Sequence, residues 1–235
     1  MRTVHTFAAL GVAASALALT GCVPFVPTGP VKSEDRAIDA VTTVVLDGSG
    51  ELTISEGEPS LVVTAPEDAL DRITTDVEGD RLVLGEESGF SFGMTRVTYE
   101  LTLPDLETIE LTGSGDVEST VSAAGTVRLD LEGSGDVEWS DLEADRVEIR
   151  LSGSGEVTVT GETGELDIEL DGSGSVDAED LRATDAVVSV GGSGDVDVAA
   201  EESLDVDVSG SGRVTYSGNP SVNSNVSGSG EVVQR

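Results

Sequence analysis

Cysteine and histidine are nearly missing from this chain, and lysine and aromatic residues are scarce. Cys22 is the single cysteine and His5 the single histidine. One thiol cannot build an internal disulfide framework. If the N-terminal segment described below is removed, His5 goes with it. A histidine-dependent triad, a thiol nucleophile and a histidine-rich metal site are then excluded. Aromatics are 3% of the residues, and Lys32 is the only lysine among 12 basic residues, against 46 acidic ones. The resulting net charge of −34 excludes nucleic acid as a partner, since that needs a basic footprint. Long runs of like charge are also absent. The acids alternate with apolar residues, which argues against disorder. Paired carboxylates are the one catalytic option this composition leaves, because a glycosidase needs two Asp or Glu about 5–10 Å apart.

Glycine is abundant and ordered. Gly-Ser-Gly returns seven times, beginning at Gly113, Gly133, Gly153, Gly172, Gly192, Gly210 and Gly228, with spacings of 20, 20, 19, 20, 18 and 18. An eighth copy lies apart at Gly48–Gly50. A fixed period of about 20 residues is the signature of a solenoid. Each repeat leads in with an alternating run such as Val127-Arg128-Leu129-Asp130-Leu131 and leads out with one such as Asp136-Val137-Glu138-Trp139. Period-two alternation makes a strand with one buried and one wet face. Two strands fit one repeat, joined by the Gly-Ser-Gly corner and a second turn such as Glu143–Arg146. Coils that stack each strand on its equivalent, about 4.8 Å away, bury faces that no single rung could bury. Glycines flanking the serine permit a sharp corner and close backbone approach. The reading is an all-β, single-domain parallel β-solenoid with rungs of 18–20 residues and an N-terminal β cap.

Taken in order, residues 1–21 read as a signal peptide, with Arg2 ahead of the apolar run Phe7–Leu19, which is too short to span a membrane permanently. Leu19-Thr20-Gly21-Cys22 resembles a bacterial lipobox. The resemblance implies acylation of Cys22, cleavage before it, and anchoring on the extracytoplasmic face of the cell membrane. The alternative is an ordinary secretory signal with a chance cysteine. Residues 22–40, with Pro24, Pro27 and Pro30, read as an extended tether. Residues 41–112 read as a cap region and 113–235 as the repeat array, with no linker between them. Strands are expected at Ser60–Thr64, Ile73–Val77, Arg81–Leu84, Thr95–Leu103 and Thr108–Leu111, and a helical turn at Glu67–Leu70.

Two features are candidate sites. Stacked corners would line up the residue after each Gly-Ser-Gly as a ladder: Asp116, Asp136, Glu156, Ser175, Asp195, Arg213 and Glu231. Carboxylates about 4.8 Å apart repel by about 0.9 kcal/mol even at the dielectric of water. Ca²⁺ would relieve this at Asp116, Asp136, Glu156 and Asp195, while the plain alternative is a solvated acidic face. Ser175 and Arg213 interrupt the ladder, which favours the solvated face. The second feature is the glycine-flanked loop at 87–94, whose Phe90 and Phe92 are either a contact tip or core filling. Trp139 falls at an inward position. No other cofactor is called for.

The repeated Gly-Ser-Gly-Asp-Val-Glu at Gly113–Glu118 and Gly133–Glu138, the lead-in Leu103-Pro104-Asp105-Leu106-Glu107, and the early Gly-Ser-Gly-Glu-Leu-Thr-Ile-Ser resemble one family. It is the putative auto-transporter adhesin, head GIN domain family. The resemblance covers roughly Val41 to Gly230. It implies a pectin-lyase-like, right-handed β-helix, secretion or lipoprotein anchoring, and a role in adhesion, and it supplies no catalytic residues to carry over. The expectation is a non-catalytic lipoprotein, bound to the membrane by its anchor, whose partner is a cell-envelope glycan or a surface protein. The alternatives are a structural or self-associating surface scaffold, and a carboxylate-dependent polysaccharide-cleaving enzyme. The oligomeric state is open.

Overall fold

A computed structural model describes residues 29–87 and 96–235. The chain runs through β1 (Val31–Arg36), β2 (Thr43–Gly48), β3 (Glu51–Glu56), β4 (Ser60–Pro66), the helical turn α1 (Glu67–Leu70), β5 (Ile73–Glu78), β6 (Arg81–Glu86) and β7 (Thr98–Leu103). It continues through β8 (Thr108–Gly113), β9 (Asp116–Ser119), β10 (Thr126–Gly133), β11 (Asp136–Gly153), β12 (Glu156–Gly172), β13 (Ser175–Gly192) and β14 (Asp195–Gly210). The last strands are β15 (Arg213–Ser217), β16 (Ser221–Gly228) and β17 (Glu231–Gln234). Together they form a parallel β-solenoid of about six turns.

In the array every strand lies in parallel on its equivalent in the next rung. Val137 pairs with Val117 on one side and Val157 on the other, and Ile149 with Leu129 and Ile168. The inward positions therefore make columns of aliphatic side chains. Ile109, Leu129, Ile149, Ile168 and Val188 form one, all but fully buried. Each such side chain stabilises the stack by roughly 1.5–3 kcal/mol relative to exposure. Trp139 is enclosed in the same core, where its indole Nε1–H donates to the Val121 carbonyl at 2.9 Å.

The corners hold the register. The backbone N–H of Ser134 donates to the Gly113 carbonyl and that of Ser154 to the Gly133 carbonyl, both at 2.9 Å. A Cβ on Gly133 would lie 2.0 Å from the Gly113 oxygen, and one on Gly135 only 1.9 Å from the Gly115 oxygen. Gly133 also has φ +139°. The first glycine is thus needed for conformation and contact, and the second for contact.

Two expectations need correction. The rung has three segments and not two: the expected bend within Glu143–Arg146 is present, at Asp145–Arg146, and a second lies at Ser140–Asp141. After a break at Ser140–Asp141, pairing resumes at Leu142–Ala144 and again from Arg146, which gives three ladder segments per rung. Leu142 and Ala144 are both buried, and the inward alternation then changes phase at Asp145–Arg146 before Val147, Ile149 and Leu151. The expected tether at 22–40 overlaps the sheet: Val31–Arg36 is β1, which pairs antiparallel with β4, Ser33 opposite Thr64.

The cap orders its rungs differently from the chain. β2 and β3, joined by the outlying corner at Gly48–Gly50, lie directly beneath β8 and β9, with Gly48 paired to Gly113. On their other side lie β6 and β7, which come later in sequence. Beyond these the chain turns antiparallel, with β5 on β6 and β4 on β7.

Candidate binding faces

The site is built from outward positions, because the inward ones are committed to the core. On the face that leaves each corner, pairing runs without interruption from Glu51 through Asp116, Asp136, Glu156, Ser175, Asp195 and Arg213 to Glu231. The ladder expected from the spacing is therefore the observed register, with Glu51 added at its foot. Asp116, Asp136 and Glu156 stand side by side, whereas Asp195 lies beyond Ser175. Two residues on, Glu118 and Glu138 form a second row. A shallow depression of about 360 Å³ lies among Glu51, Asp116, Glu118, Asp136, Glu138 and Glu156. Among the described residues no group of three or more Asp, Glu, His or Cys is placed to hold a metal ion.

The face that leads into each corner carries a cluster of arginines. Arg128 Nε lies 3.1 Å from Glu148, and Arg146 lies 3.1 Å from Glu148 and 3.3 Å from Asp167 and also meets Glu165. Arg150 bridges Asp130 at 3.7 Å and Glu169 at 3.6 Å. At the cap end of this face Arg81 makes a paired contact with Glu110, and that hydrogen bond raises the guanidinium pKa above its ordinary value. On the face that leaves the corner Arg213 is held by Glu231 at 2.5 Å, again raising its pKa. Both faces are acidic; the lead-in face adds a cluster of ion pairs around Arg128, Arg146 and Arg150, while the face leaving the corner is rows of carboxylates with Arg213 near its far end. Surface pairs of this kind contribute little stability each.

Sequence reasoning missed Glu51 as the first rung of the ladder, although it follows its own Gly-Ser-Gly. It also missed the gathering of arginines on one face, which becomes visible only when residues 20 apart are stacked. Cys22 with Leu19, Thr20 and Gly21, and the loop residues Phe90 and Phe92, lie outside the described residues.

Rows at constant spacing, set by glycine corners, are what a repeat family would show, and residues 40–220 match the family of the putative auto-transporter adhesin, head GIN domain. The chain belongs to this family. Several solved structures share its fold. One, described as a putative adhesin from Bacteroides fragilis NCTC 9343, is 22% identical, with a TM-score of 0.83 over 90% of this chain and 100% of that one. A putative lipid binding protein from Parabacteroides distasonis ATCC 8503 is 22% identical, with a TM-score of 0.73 over 90% of this chain and 99% of that one. A putative adhesin from Parabacteroides merdae ATCC 43184 is 18% identical, with a TM-score of 0.68 over 90% and 98%. No curated protein matches the sequence. Among the described residues of this GIN-domain chain no helix is long and apolar enough to cross a membrane.

Proposed function

We propose that this chain is a surface-displayed lipoprotein, anchored through acylated Cys22, whose solenoid binds a cell-envelope glycan or a surface protein without transforming it. The observation that carries this reading is the adhesin-family match across 40–220, on a fold whose exposed faces are regular ladders. Long rows of carboxylate groups suit an extended partner that repeats along its own length. The leader and Leu19–Cys22 support the anchor, since two or more acyl chains give stable attachment where one is marginal.

The test is binding of the full chain carrying Cys22→Ala to a panel of cell-wall polysaccharides and host glycans, with and without Ca²⁺. Saturable binding to one class without release of reducing ends is the expected result. Dependence on Ca²⁺ would assign the Asp116–Asp136–Glu156 ladder to the contact. Chain cleavage of a polysaccharide would replace adhesion by catalysis. For the anchor, Cys22→Ala should move the protein from the membrane fraction to the soluble fraction, and unchanged partitioning would contradict it.

A further inference from the structure

Among the described residues the outer edge of the C-terminal rung is unpaired: β16 pairs with β14 alone and β17 with β15 alone. An unpaired strand edge offers a row of N–H and C=O groups to another strand. Three observations on β16 indicate which strand.

The first is charge. Beneath β16 the outward residues of β14 are Asp205 and Asp207, and their partners in β16 are Asn223 and Asn225. Ser221–Ser227 holds no charged residue in a chain of net charge −34. Each asparagine donates one amide hydrogen downward, Asn223 to Asp205 at 2.8 Å and Asn225 to Asp207 at 2.7 Å. Each keeps a carbonyl oxygen and a second N–H for another partner. The second is symmetry. Ser221-Val222-Asn223-Ser224-Asn225-Val226-Ser227 reads the same in both directions. Other rungs share the alternation but not the identity of residues: the segment below reads Ser203-Leu204-Asp205-Val206-Asp207-Val208-Ser209 and carries acids. The third is apolar exposure. Val222 and Val226 continue the inward columns above Leu204 and Val208, which are fully buried, yet are themselves 40% and 41% exposed.

We propose that Ser221–Ser227 docks on the same segment of a second copy of this chain, antiparallel and edge to edge, about a two-fold axis through Ser224. In that register Ser221 meets Ser227, Val222 meets Val226, Asn223 meets Asn225 and Ser224 meets itself. Directly opposed residues of an antiparallel pair have Cα atoms about 4.5–5.5 Å apart, close enough for the valines to cover one another and for the amides to pair. The aliphatic columns of two solenoids then become continuous. Such an interface is isologous, so it closes at two copies and does not propagate. Aspartates at 223 and 225 would oppose like charges across the axis, which is why the loss of acid in this rung points to a copy of the chain itself. The strongly negative bodies repel, so salt should strengthen the association, opposite to an interface made of ion pairs. This inference is independent of what the lateral faces bind.

Sedimentation of the full chain carrying Cys22→Ser, across a concentration series at low and high salt, tests it, with circular dichroism as a check on folding. The expected result is a monomer–dimer equilibrium favoured by salt. Asn223→Asp with Asn225→Asp should raise the dissociation constant about tenfold or more, and Asn219→Asp, outside the segment, should leave it unchanged. In the same background Ser224→Cys should give a disulfide-linked dimer on mild oxidation with diamide, and Ser211→Cys on an exposed corner should not. A monomer at every concentration, a dimer indifferent to the paired aspartates, or growth beyond two copies would each overturn the proposal.

Discussion

The two ends of the solenoid stop in different ways. At the N-terminal end the parallel ladder is closed by reversed strands: β5 lies antiparallel on β6, and β1 and β4 extend the other side. The outermost of these, β1, bears Lys32, Glu34, Asp35 and Arg36, and β5 bears Asp76 and Glu78. Charged edge strands discourage further pairing. Among the described residues the C-terminal end has no reversed strand, and its outermost strands are the uncharged β16 and β17, which bears Glu231. A repeat fold needs its last rung made unlike the others to stop it adding more, and among the described residues reversed strands do this at the N-terminal end alone. The difference teaches that β16, where asparagines replace the aspartates of the rung below, has among the described residues neither the reversed strands nor the charge that guard the other end.

The comparison is broken most severely by adding a methyl group in the middle of the stack. Gly135→Ala places a Cβ against the Gly115 carbonyl with no room on either side and should cost about 4 kcal/mol or more. The same change at Gly230, in the terminal rung, meets Gly212 at 2.6 Å but can be relieved by fraying, and should cost about 1 kcal/mol or less. Paired thermal melts of the two variants read this contrast directly. Core truncation should follow the same gradient at lower amplitude. Ile149→Ala, 1% exposed, should lose about 3 kcal/mol. Val226→Ala, 41% exposed, should lose only about 0.5 kcal/mol in dilute protein. The smallest stability change, within about 0.5 kcal/mol, is expected from replacing Lys32, Glu34 and Asp35 by serine in the exposed strand β1. That variant should nevertheless gain a concentration-dependent association absent from the parent chain carrying Asn223→Asp and Asn225→Asp. Denaturant titration and sedimentation measure the two effects separately.

The array was legible because a backbone contact dictates its sequence. Glycine at 113, 133 and 153 cannot be exchanged without collision, so the spacing of Gly-Ser-Gly reports the register itself. The helical turn at Glu67–Leu70 and the strands around it were equally open to local reading. The order of rungs in the cap was not. β2 and β3 lie between two pairs of strands that both follow them in the chain, and no motif in β6 or β7 repeats a corner to reveal it. The strand at Val31–Arg36 was hidden because its first five side chains are exposed, and a strand without a buried face shows no alternation. The acid ladder could be read from residues after each corner, but the grouping of Arg128, Arg146 and Arg150 against Glu148 depends on stacking distances between rungs. The open edge was visible in sequence only as polar residues near the terminus. Its symmetry acquires meaning once β16 is known to be the last strand of its ladder.

Hydrogen exchange of the full chain carrying Cys22→Ser, compared between dilute and concentrated protein, tests the contrast between the ends most directly. The account predicts that amides of β11 to β13 are the most protected at both concentrations and that β1 and β5 keep one protection level throughout. Amides of β16 should exchange fast when dilute and gain protection when concentrated. Strong protection of β16 in dilute protein, or a concentration effect confined to β1 and β5, would contradict it.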